Sequence, residues 1–113
     1  MKRNLMIFRV AFLVAFVVGL GNLFHVYTMS ATLLDVHIVA GLIMLVALAW
    51  IAVETKNAVV VIAGILVIAG GILALTSAAA SLLPNLFHVG LMLLAVALVE
   101  VAVGRTSRRA TVH

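Results

Sequence analysis

The stretch Leu33-Leu34-Asp35-Val36-His37-Ile38-Val39-Ala40-Gly41-Leu42-Ile43-Met44-Leu45-Val46-Ala47-Leu48-Ala49-Trp50-Ile51-Ala52-Val53 decides the fold. It holds one carboxylate, Asp35, and one imidazole, His37, and its other residues are apolar or glycine. A helix rises about 1.5 Å per residue, so about 20 such residues cross the ~30 Å hydrocarbon core of a bilayer. The stretch reads as a membrane-spanning helix.

Three more stretches read the same way: Leu5–Tyr27, Ala58–Ala79 and Leu86–Val103. Small, charged or turn-forming residues separate them. Thr28–Thr32 is small and polar, and Glu54-Thr55-Lys56-Asn57 is charged. Ser81–Asn85 contains the only proline, Pro84, placed for the first turn of a fourth helix. The four spans leave 104–113 as a flexible tail and no room for a soluble domain. The expected fold is an all-α integral membrane protein, a single four-helix up-down-up-down bundle over 1–113. Composition agrees: 67% of the 113 residues are apolar and 9% charged, against roughly 25% charged in soluble domains. Mean hydropathy is +1.43. With no cysteine, disulfide scaffolds, thiolate-held iron–sulfur clusters and cysteine nucleophiles are excluded. The first span is too long for an ordinary signal-peptide core and reads as retained.

The basic residues set the expected orientation. Lys2, Arg3 and Arg9 flank the start of span one, Lys56 lies between spans two and three, and Arg105, Arg108 and Arg109 follow span four. All seven fall on one side, which puts both termini in the cytoplasm and the protein in the cytoplasmic membrane. The net charge of +4 is thereby explained by topology and not by nucleic acid. Arg9, Glu54 and Glu100 lie at that same level, where ion pairing offsets the cost of burial.

Ionisable groups inside a membrane point to function by default. His25, His37 and His88 each fall within roughly 3–8 Å of the outer end of a span, counted along the helix. In a four-helix bundle, spans two and four are diagonal across the core, so His37 and His88 are placed to face one another, as bis-histidine haem ligands do. Gly41 and Gly90 stand near them and leave space for a flat macrocycle; glycines also let helices approach closely. A His₃ site for zinc or copper, with His25 as third ligand, and simple interhelical hydrogen bonding remain open alternatives. Met6, Met29, Met44 and Met92 read as packing, as do Gly64, Gly70 and Gly71. Walker, dinucleotide-binding, zinc-protease and nucleophile-elbow motifs are absent from the sequence.

The runs His37-Ile-Val-Ala-Gly41-Leu, Gly70-Gly71-Ile-Leu-Ala-Leu-Thr76 and His88-Val-Gly90-Leu-Met-Leu-Leu together resemble one four-helix half of the haem A synthase family, over about Leu33–Val103. The resemblance implies that His37 and His88 are axial ligands of a haem near the outer face. It extends to the haem-binding bundle and not to the family's reaction. Three residues before His37 stands Leu34 in place of the family's glutamate, with Asp35 the nearest acid, and the family's cysteine loop is missing.

The expected protein is therefore a small b-type haem protein with one haem, or two if His25 also serves, in electron transfer or haem handling. If it is an enzyme it is a haem-dependent oxidoreductase. Its expected partners are membrane lipid, quinone, a second copy in a homodimer, or a larger respiratory complex. An accessory packing subunit of a respiratory or photosynthetic complex is the alternative from a different class.

Overall fold

A computed structural model describes residues 1–24, 26, 30–76 and 82–112. The described residues form four α-helices and no strand: α1 (Lys2–Leu23), α2 (Ala31–Thr55), α3 (Ala58–Thr76) and α4 (Leu82–Val112). All four are long and apolar enough to cross a membrane, which suggests a multi-pass membrane protein.

Each helix is apolar all round but buries only one stripe. The buried residues recur at helical spacing: Leu5, Phe8, Ala11 and Ala15 on α1; Ala40, Met44, Leu48 and Ile51 on α2; Val60, Ala63, Val67 and Gly70 on α3; Ala95, Val99 and Ala102 on α4. The remaining faces expose large aliphatics, among them Val17 at 59%, Val46 at 66% and Leu75 at 75%. Such surfaces are untenable in water and ordinary against lipid tails.

Local chemistry sets the helix ends, and it moves several from where composition alone puts them. Helix α1 stops at Leu23 rather than Tyr27: the Phe24 N–H closes the last turn on Leu20 O at 2.9 Å, after the weak helix formers Gly19, Gly21 and Asn22. Helix α2 begins at Ala31 rather than Leu33, because the Ser30 hydroxyl caps it by accepting the Leu33 N–H at 3.1 Å. It runs on to Thr55, where the Lys56 N–H donates to Ala52 O at 2.9 Å. Asn57 caps α3, its Oδ1 accepting the Val59 N–H at 2.8 Å. Helix α4 starts at Leu82 rather than Leu86, with Pro84 in its first turn as expected. It continues through 104–112, where a tail was expected. That segment lacks proline, and the Thr106 hydroxyl is satisfied within the helix, donating to Ala102 O at 3.0 Å. The expected end of span three at Ala79 lies outside the described residues.

The chain divides into two compact units, Met1–Trp50 and Ile51–His113. The first holds α1 and most of α2. The second holds the rest of α2 and the packed pair α3 and α4.

Candidate functional site

His37 and His88 are each the seventh residue of their helix, α2 and α4 respectively, about 9 Å along the axis from its first residue. Both extend the inward stripe of that helix toward its N-terminal end: His37 stands three and seven residues before buried Ala40 and Met44, and His88 four and seven residues before half-buried Met92 and buried Ala95. Both rings are half-buried.

Within the first unit, His37 Nδ1 lies 2.9 Å from the carbonyl oxygen of Ala15 on α1. Within the second, His88 Nδ1 lies 2.9 Å from the carbonyl oxygen of Gly70 on α3. A carbonyl only accepts, so Nδ1 carries the proton in both rings, and in the neutral imidazole the lone pair sits on Nε2. Both acceptors are mid-helix carbonyls whose other lone pair serves the amide four residues on, Gly19 or Ala74. The second lone pair receives the imidazole at no cost to the helix.

A glycine borders each ring, and at His37 it makes room for it. A Cβ on Gly19 would stand 3.2 Å from His37 Cε1, so the ring lies against bare backbone there. A Cβ on Gly70 would stand 3.5 Å from His88 Nδ1 and 2.9 Å from the terminal methyl of Met92. Gly70 thus packs directly against α4, as expected of a helix-contact glycine. Its neighbour Gly71 does not, since a Cβ there would meet nothing within 4 Å.

Gly41 and Gly90 behave like Gly71: a Cβ on either would meet nothing within 4 Å. Space is open beside both, and no neighbour in the chain requires glycine at either position. Gly90 belongs to a shallow apolar depression on α4 shared with Leu83, Leu86, Phe87, Leu91 and Leu94. His25 and Tyr27 lie outside the described residues, and with His25 the three-histidine reading. Among the described residues no group of three or more His, Asp or Glu side chains gathers as a metal site.

Sequence reasoning missed Ala15 and Gly19. A backbone acceptor leaves no residue-type signature. Gly19 carried a signal, a lone glycine inside an apolar helix, but not one that points to a histidine. Comparison with protein-family models, curated proteins and solved structures finds no match.

Proposed function

We propose that this chain is a small membrane b-type haem protein in which His37 and His88 would hold the haem iron, in electron transfer or haem handling. The observation that carries the reading is the pair of Nδ1–carbonyl bonds. Metal-ligating histidines ordinarily donate their other ring N–H to a carbonyl or carboxylate, which fixes the tautomer, orients the ring and raises the basicity of the ligating nitrogen. Two imidazoles, each held this way at the same position of its helix, match the donor set of a bis-histidine haem. Bound haem would supply one-electron redox chemistry. The chain's own part is to hold each ring plane against Ala15 or Gly70, keep the proton on Nδ1, and leave open space at Gly41 and Gly90.

The finer topology belongs to this reading: an up-down-up-down arrangement, termini on the cytoplasmic side of the cytoplasmic membrane, and histidines toward the outer face. Its support is that all seven Lys and Arg residues lie near the ends of the chain or in the α2–α3 turn. Quinone, a second copy or a larger respiratory complex would then be the electron partner.

Asparagine tests the reading. Its side-chain amide sits where Nδ1 sits, so His37→Asn and His88→Asn keep a donor for the carbonyl and remove the ligating nitrogen. Absorption spectra of the detergent-purified protein, oxidised and dithionite-reduced, should show sharp reduced α and Soret bands. Both variants should lose them while keeping the thermal stability of the haem-free wild type. A wild type that stays colourless when haem is supplied, or variants with unchanged spectra, would overturn the proposal.

A further inference from the structure

Helix α4 is longer than a membrane is thick. Its 31 residues span about 46 Å, against about 30 Å of hydrocarbon. About 16 Å of it therefore stands outside the core. The sequence says which end: Leu82–Val99 carries no Asp, Glu, Lys or Arg, while Arg105, Arg108 and Arg109 lie in the last turns.

Helical continuity gives those arginines an arrangement that a flexible tail would not. Positions i, i+3 and i+4 share one face of a helix, and all three residues are exposed. The Arg108 side chain folds back by a turn, its Nε donating to Gly104 O at 3.3 Å. A Cβ on Gly104 would lie 3.7 Å from an Arg108 terminal nitrogen, so the guanidinium rests over bare backbone. It reaches back toward the level of Arg105, where the apolar sequence ends. Glu100, half-buried, is five residues before Arg105 and about 140° away around the axis. Exposed Glu54 at the end of α2 and exposed Lys56 in the turn before α3 offset one another in charge.

We propose that Arg105, Arg108 and Arg109 form a binding face for the phosphate group of an anionic lipid in the leaflet from which the C-terminal end of α4 emerges. A fork of guanidinium donors matches phosphate oxygens. The membrane span that precedes it fixes the face at headgroup depth. Residues beyond the span thus become a lipid-sensing element of the same helix. This inference stands apart from the haem reading.

The test uses full-length protein in detergent, with phosphatidylglycerol, phosphatidylcholine and inorganic phosphate as separate probes, and retained lipid read by native mass spectrometry. Phosphatidylglycerol should be retained in preference to phosphatidylcholine, and inorganic phosphate should not displace it. Each Arg→Gln substitution should weaken retention about five-fold, and the triple variant should lose the preference. The triple Arg→Lys variant keeps the charge without the fork and should retain the preference only in part, between wild type and the triple glutamine variant. Circular dichroism confirms folding, and Arg108→Gln alone decides the matter if the triple variant does not fold. Equal retention of the two lipids, or an unchanged preference after the glutamine substitutions, would refute the proposal, as would displacement by inorganic phosphate.

Discussion

The imidazole of His88 hydrogen-bonds, through Nδ1 at 2.9 Å, to the backbone carbonyl of Gly70 on the neighbouring helix. The bond joins α4 to α3 at a glycine whose close neighbour on α4 is the Met92 methyl, while the ring stands at ordinary contact distance. His37 and Ala15 repeat it in the first unit.

Removing the imidazole donor should cost little, because the carbonyl keeps its helical partner. Interhelical hydrogen bonds in membranes average about 0.6 kcal/mol and reach about 1–2 kcal/mol in model peptides. His88→Leu should therefore destabilise the protein by about 1 kcal/mol, and His88→Asn by less, since its amide still donates to Gly70 O. Reversible unfolding in mixed micelles measures both. An Asn variant as unstable as the Leu variant would show that the bond to Gly70 contributes nothing.

Gly19 and Gly70 should respond differently to alanine, although both border a histidine. Alanine in place of a mid-helix glycine ordinarily gains about 0.5–1 kcal/mol. At Gly70 the close atom is the methyl end of Met92, at 2.9 Å from the new Cβ. A flexible thioether moves aside easily, so Gly70→Ala should be neutral or stabilising. At Gly19 the close atom is Cε1 of a rigid ring at 3.2 Å, held in place by its bond to Ala15 O. Gly19→Ala should forfeit the propensity gain and shift the His37 ring resonances in NMR. Larger destabilisation at Gly70 than at Gly19 would contradict this assignment.

The elements were legible in the sequence because a membrane leaves few alternatives. Backbone groups in hydrocarbon must be satisfied within the segment, so four apolar runs meant four helices. Pro84 in a first turn was legible for the same kind of reason. What was hidden was carried by the backbone. Ala15 is read as an ordinary apolar residue, yet its carbonyl anchors His37. Helix ends depart from the span bounds where local chemistry decides them: the Ser30 hydroxyl caps α2 at Ala31, and α4 runs on to Val112 where no breaker intervenes. Of the glycines read as contacts in span three, Gly70 touches α4 and Gly71 meets nothing, a difference set by helix rotation that spacing alone does not reveal.

Lys56 occupies a position that suits glycine. Its φ is 50°, in the left-handed region, at the residue that closes the end of α2 through its N–H to Ala52 O. Left-handed backbone costs a non-glycine residue about 1 kcal/mol. Lys56→Gly should therefore stabilise the α2–α3 turn by up to about that amount. The same substitution removes the only Lys or Arg in the turn and weakens the charge bias that orients the chain. Thermal unfolding should show a higher midpoint, and a glycosylation-site or reporter-fusion assay an increased share of inverted chains. A fall in the midpoint would show that the lysine side chain contributes more than its backbone costs.

Gly41 separates the cofactor role from the packing role. It lies one turn after His37 on α2, and a Cβ there meets nothing within 4 Å. The first side-chain atom of a leucine here meets nothing in the chain within that radius, and leucine is a good helix former. Gly41→Leu should leave thermal stability without haem unchanged or slightly raised. If a macrocycle occupies the space beside His37, the same variant should lose haem, with weakened or shifted reduced α and Soret bands. Haem titration of the wild type and the variant, with unfolding measured in parallel without haem, reads the two effects separately. Full haem binding by Gly41→Leu would place the macrocycle away from this face of α2. Loss of stability without haem would instead show that the open space is closed by packing.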